Sequence, residues 1–126
     1  MTKLENLIKD LAKANNRLKE ALALKPIRIN KDATIQRFEF CFELAWKTIQ
    51  AYTRDQGLDC RSPKSCFRIG AELSLIKDLK IWFEYLGARN LIAHSYNEKL
   101  ADRIYCQVAK FPQEIDDLLQ KIKGEI

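Results

Sequence analysis

The sequence predicts an all-α protein, an up-and-down antiparallel bundle of about five helices in a single domain spanning residues 1–126. Three observations predict it. Apolar residues recur at three- and four-residue steps along most of the chain, the spacing that lines one face of a helix. No run of alternating apolar and polar letters persists with the β-branched enrichment of a strand. Gly and Pro number only 4 and 3, so few residues interrupt a helix, and the connections between periodic segments are short.

Each helix carries its own start and stop. Thr2 and Glu5 have the spacing of a capping box, and Leu4, Leu7, Ile8, Leu11, Ala14, Leu18, Ala21 and Leu22 follow as one amphipathic face. This first helix should end near Leu24, because Pro26 cannot continue it; Pro26 to Asn30 reads as a connection. A second helix runs from about Lys31 to Gln56 and stops at Gly57. Its core face is an aromatic stripe that includes Ile35, Phe38, Phe42, Ala45, Trp46, Ile49 and Tyr52. Glu39, Glu43 and Lys47 lie on another strip, where spacing alone favours an exposed surface with one Glu-to-Lys pair.

Ser62-Pro63 sets an N-cap before a first-turn proline and opens a third helix through Ile69, Leu73 and Ile76, weakened at Gly70. Asp78 starts a fourth, carrying Leu79, Trp82, Phe83 and Leu86 toward Gly87–His94. Ser95 and Glu98 repeat the capping-box spacing, so the last helix begins around Tyr96 or Asn97. It continues through Leu100, Ile104, Val108 and Phe111, is kinked or restarted by Pro112, and resumes with Ile115, Leu118, Leu119 and Ile122.

Composition bounds the function classes. With 47% apolar and 31% charged residues the chain describes a folded globule of one domain, not a disordered or fibrous one. Met1–Glu5 turns charged at once and lacks the apolar core of a signal peptide, and no uncharged stretch approaches the ~20 residues needed to cross a bilayer. The expectation is a soluble cytoplasmic protein without a membrane partner. Cys41, Cys60, Cys66 and Cys106 fall at irregular intervals with no C-x-x-C pair, which reads as four reduced structural thiols. With His94 the only histidine, neither a metal site nor a cofactor is expected. The net charge of +5 favours polyanionic partners without identifying one.

The stretch Arg89-Asn90-Leu91-Ile92-Ala93-His94-Ser95-Tyr96 places hydrogen-bonding side chains among apolar letters at a helix junction. Arginine offers a permanently charged fork for phosphate, and histidine, with an unperturbed pKa of ~6.5, suits proton transfer near neutrality. On one ideal helix Asn90 and His94 share a face, whereas Arg89 and His94 diverge by about 140°. A helix end near His94 could fold the imidazole back toward the guanidinium, or two copies of the chain could pool their residues. The single histidine bears on the second option, since phosphodiester cleavage needs one group to take a proton and another to give one. The competing reading is that Arg89 and His94 only cap helix ends, and spacing leaves both open.

The pattern R-x4-H-x-Y formed by Arg89, His94 and Tyr96 resembles the signature of the HEPN superfamily. Arg89-Asn90 followed by His94–Glu98 looks like the branch called nucleotidyltransferase substrate-binding proteins, grouped with the toxins of HEPN and minimal-nucleotidyltransferase pairs. The block Arg37–Lys47, Ser62-Pro63 and Trp82 are similar to that branch at their places, so the likeness spans about residues 35 to 105. The resemblance implies a helical bundle that forms a homodimer, associates with a small nucleotidyltransferase encoded nearby, and takes RNA or a nucleotide as ligand. It further implies a metal-independent endoribonuclease in which His94 activates a ribose 2′-hydroxyl and Arg89 holds the phosphate. Asn90 would orient the histidine or the substrate, Ser95, Glu43 and Lys47 would border the substrate or phosphate site, and Tyr96 would accept adenylate from the partner enzyme. The alternative it carries is a non-catalytic subunit that binds a nucleotide or other substrate for the nucleotidyltransferase.

Overall fold

Local capping chemistry sets most helix starts in the computed structural model, which describes residues 1–125. Those residues form six α-helices: α1 (Lys3–Leu22), α2 (Arg28–Asp55), α3 (Pro63–Glu72), α4 (Leu79–Leu91), α5 (Glu98–Gln107) and α6 (Phe111–Glu125). A 3-10 turn, Ile92–His94, extends α4, and another, Val108–Lys110, joins α5 to α6. The pair α5 and α6 is thus the last helix of the sequence reading, restarted beside Pro112, and the all-α bundle is as expected.

At α1 the Thr2 hydroxyl accepts from Glu5 N–H at 3.1 Å, and the Glu5 carboxylate accepts from Thr2 N–H at 3.3 Å. These bonds satisfy donors that a helix start otherwise leaves bare. Ser62 caps α3 through Ser65 N–H at 3.2 Å, with Pro63 in the first turn, and Asp78 caps α4 through Ile81 N–H at 3.4 Å. Gly57, at φ +81°, stops α2 in the left-handed region that glycine tolerates, and Leu58 N–H then reaches back to Thr53 O at 2.9 Å.

Four expectations need correction. Helix α2 begins at Arg28, not Lys31, and Ile27 gives it no side-chain cap. Charge from a distant helix holds this turn instead: the Arg28 guanidinium bonds Asp102 of α5, and Lys31 reaches the same carboxylate at 3.1 Å. Helix α5 is capped by Asn97, whose side-chain oxygen accepts from Lys99 N–H at 3.1 Å and Leu100 N–H at 3.3 Å; Ser95 lies in the preceding turn. Helix α3 stops at Glu72, short of Ile76, because the chain turns back so that Leu75 N–H donates to Gly70 O at 2.8 Å. Gly70 leaves room for that return, since a Cβ there would lie 3.2 Å from the Ile76 δ-methyl, a tight contact. Finally, Cys60 and Cys66 form a disulfide rather than standing as thiols. The chain reverses at Arg61 and Ser62, which lays Cys60 beside the first turn of α3 with the two Cα atoms 5.1 Å apart. Cys41 and Cys106 remain free; burial, with the nearby Asp116 charge, pushes the Cys41 thiol up to about 12.

Helix α2 is the spine. Its buried Phe38 and Phe42 meet Phe111 of α6, Phe67 of α3 and Tyr85 of α4, with ring centroids 5.0 Å apart for Phe38–Phe111 and 5.7 Å for Phe42–Phe67. Trp82 joins the cluster 5.1 Å from Phe67. These edge and tilted contacts add packing specificity to the apolar area removed from water. One polar strut crosses the interior: buried Asn15 of α1 donates to Pro112 O at 3.1 Å and to Asp116 at 3.0 Å. No helix among the described residues is long and apolar enough to cross a membrane.

Candidate functional site

Arg89 occupies the last turn of α4, one residue after the buried Ala88 and facing α2. There its Nε donates to Glu43 Oε2 at 2.9 Å and its Nη2 to Glu43 Oε1 at 3.3 Å, a bidentate fork between helices. The guanidinium also lies over the Phe42 ring, 5.3 Å from its centroid. Its Nη1 donates to the Asn90 side-chain oxygen at 3.0 Å. Three of the five N–H donors of the guanidinium are thereby engaged, leaving one on each Nη for an incoming oxygen.

Glu43 therefore departs from the exposed strip that four-residue spacing favours, and its partner is Arg89, not Lys47. Trp46 completes the clamp. Its indole N–H donates to Glu43 Oε1 at 3.2 Å, so a residue read as core contributes a polar contact to this site. The only sequence signal for it is the three-residue step from Glu43 to Trp46, which places the two on one helical face. Partial burial pushes the Glu43 carboxyl upward, but hydrogen bonds from Arg89 and Trp46 and the charges of Arg89 and Lys47 outweigh it and hold the group below the usual glutamate range. Lys47 itself is exposed and reaches the site through its field alone.

His94 and Tyr96 stand differently. The 3-10 turn Ile92–His94 ends α4, Ser95 N–H donates to Ile92 O at 2.9 Å, and Asn97 N–H donates to His94 O at 3.0 Å. This backbone presents an exposed imidazole whose centroid is 6.2 Å from the Tyr96 ring, at 68° to it. Tyr96 is 85% exposed. Among the described residues neither side chain has a hydrogen bond, and Ser95 is half-buried beside them. Arg89 and His94 do not touch each other by any hydrogen bond in one chain. Steps of about 100° in the α-helix and about 120° in the 3-10 turn still leave them on roughly opposite sides of the axis. Asn90, which the resemblance assigns to the histidine or the substrate, bonds the arginine instead.

What this arrangement can do chemically follows from its two halves. The pinned guanidinium offers a preset pair of N–H groups to a phosphate oxygen, and the exposed imidazole can take or give a proton. No group of three or more His, Cys, Asp or Glu side chains able to hold a metal ion occurs among the described residues.

The sequence model of the family described as nucleotidyltransferase substrate binding protein like matches residues 6–124. The chain is 28% identical over 94 residues to the probable ribonuclease HepT of Haemophilus influenzae, a match covering 71% of this chain and 64% of the relative, so less than two thirds of that protein's length is spanned. Among solved structures, a Thermus thermophilus protein superposes with a TM-score of 0.84 at 35% identity, over 89% of this chain and 98% of its own. A Haemophilus influenzae structure described as revealing the fold of a substrate binding domain of a nucleotidyltransferase gives a TM-score of 0.69 at 24% identity, over 95% and 96% of the two chains. That last likeness speaks for the fold alone.

Proposed function

The chain belongs to the nucleotidyltransferase substrate-binding protein-like family, and from that membership and the Arg89 clamp we propose that it is the HEPN-type toxin of a two-gene module, a metal-independent endoribonuclease paired with a small nucleotidyltransferase. The observation that carries the reading is the contrast within one motif: a guanidinium fixed by Glu43 with two N–H groups to spare, followed by an imidazole and a phenol left open to solvent. The similarity to a probable ribonuclease supports it.

In this mechanism His94 takes the proton of a ribose 2′-hydroxyl, and the freed oxygen attacks the adjacent phosphorus. The 5′-oxygen of the next nucleotide leaves, and the products are a 2′,3′-cyclic phosphate and a 5′-hydroxyl. Arg89 stabilises the charge that gathers on the phosphoryl oxygens in between. The leaving oxygen needs a proton, and the His94 of a second copy supplies it in a homodimer whose cleft collects both chains' motifs. Ser95 and Asn90 border that cleft, Asn90 by steadying the guanidinium, while Glu43 and Lys47 set the charge behind it.

Tyr96 is the control point. Its exposed phenol loses its proton to solvent as the oxygen attacks the α-phosphorus of an adenosine triphosphate held by the partner enzyme; pyrophosphate leaves, and an adenylate remains next to His94. The added bulk and negative charge beside His94 exclude a second phosphate and silence the cleft.

A second reading also has an observation in its favour. Glu43 already neutralises Arg89, which suits a subunit that binds a nucleotide for the nucleotidyltransferase without cleaving anything. Incubating purified protein with total RNA in excess chelator, beside His94→Ala, separates the two. Cleavage by the native chain alone, ending in cyclic phosphates, is expected; intact RNA in both, with nucleotide binding retained, would favour the binding subunit.

A further inference from the structure

A concave groove of about 500 Å³ is lined by residues of α1 and α2, Glu43 among them. Lys13 and Arg17 stand on its α1 wall, Arg37 and Lys47 on its α2 wall, and Phe40 between them. Phe40 is 52% exposed, an unusual setting for a large ring on a core helix. Arg37, Phe40, Leu44 and Lys47 follow three- and four-residue steps, so they form one strip about 15 Å long. None of the four cations joins an ion pair among the described residues. The groove's carboxylates are Asp10 and Glu43, and Glu43 is engaged by Arg89.

We propose that this groove is a track for single-stranded RNA, with Phe40 as the platform on which a base stacks and Lys13, Arg17, Arg37 and Lys47 as contacts to successive phosphates. Cations on both walls with an exposed aromatic ring among them is the arrangement that binds single strands with little regard to sequence. Mere solvation explains scattered lysines, but not a half-exposed ring lining the same concavity as four unpaired cations. A second copy seated here across a two-fold axis would gather eight cations against four carboxylates, two of them already held by Arg89, and like-charge repulsion opposes that. Glu43 lies on the groove wall and holds Arg89, so the track leads toward the motif. The assignment rests on the ribonuclease reading only for the choice of RNA as the strand.

The test uses the native full chain and a fluorescent 2′-O-methyl RNA of about 12 nucleotides, which binds but lacks the hydroxyl needed for cleavage. Anisotropy titration should show Phe40→Ala binding about 10-fold more weakly, and Phe40→Trp restoring affinity. The Lys13→Gln, Lys47→Gln double variant should flatten the slope of log affinity against log salt by about 1.4, since each phosphate contact contributes about 0.7. Equal affinity and slope in all variants would overturn the track. So would displacement of the RNA by polyglutamate at equal charge, which would mark an acidic protein partner, or a shift from dimer to monomer in Phe40→Ala on sedimentation, which would make the groove a homodimer face. Failure of the native chain to cleave ordinary RNA while Phe40→Ala still weakens binding supports the track and removes only the nuclease reading.

Discussion

Arg89 and Tyr96 lie seven residues apart in one motif, yet the structure treats their surroundings in opposite ways. Around Arg89, three residues of α2 close in: Glu43 forks the guanidinium, Trp46 bonds the same carboxylate, and Phe42 underlies the charge. Around His94 and Tyr96 one 3-10 turn supplies all the support, and both rings face solvent. The comparison teaches where preorganisation resides. The electrostatic half of the site is built before any ligand arrives, at the cost of partly burying an ion pair. In the proposed reaction the exposed half is left for another molecule to complete, whether substrate, second copy or nucleotidyltransferase.

The largest effect should come from the open half. His94→Ala should lower RNA cleavage by about 10²–10⁴-fold, the usual contribution of a general acid or base, while leaving the melting temperature unchanged. A fall in stability comparable to the loss of activity would mean that the imidazole supports the fold and would erase the contrast. As a reference away from both halves, the Cys60→Ala, Cys66→Ala double variant removes a short cross-linked loop. By loop entropy it should lose about 2 kcal/mol in denaturant unfolding with no change in cleavage per folded molecule.

The pinned half should respond in both readouts. Glu43→Ala frees Arg89, and because both side chains are roughly a third exposed the stability loss should be near 1 kcal/mol after solvent screening. Cleavage should fall with it, and Glu43→Gln should recover part of both. Acid should act in the same direction. The Glu43 carboxyl is held below its unfolded value, so its contribution is present above about pH 4.3 and is lost as pH falls through the folded value. Melting curves of native protein should therefore drop more steeply on acidification than those of Glu43→Gln. The smallest effect belongs to Tyr96→Phe, which should shift stability by less than about 0.5 kcal/mol yet abolish adenylate transfer by the partner enzyme.

Much of the fold was legible because its signals are local. Thr2 with Glu5, Ser62 with Pro63, Asp78 and Gly57 act within five residues, and each does in the structure what its spacing predicts. What spacing missed depends on contacts across the bundle. Arg28 starts α2 through a carboxylate on α5, and no reading of residues 26–31 contains Asp102. Cys60 and Cys66 meet because the chain reverses between them, which an irregular cysteine interval conceals. At the site, residues Arg89–Tyr96 were visible as a motif, but Glu43 lies 46 positions away from Arg89, and its spacing to Lys47 pointed to the wrong partner. Ser95 does not cap α5 because Asn97 N–H, which a Ser95 cap would recruit, donates to His94 O, and the helix starts later under Asn97 itself.

Cooperation of two His94 imidazoles in one shared cleft is most directly tested by mixing. Native and His94→Ala proteins, unfolded and refolded together at fixed total concentration, should cleave RNA in chelator at a rate that falls as the square of the native fraction, because a mixed dimer carries a single imidazole. A rate that falls in simple proportion to the native fraction, with mixed dimers present by mass, would contradict it.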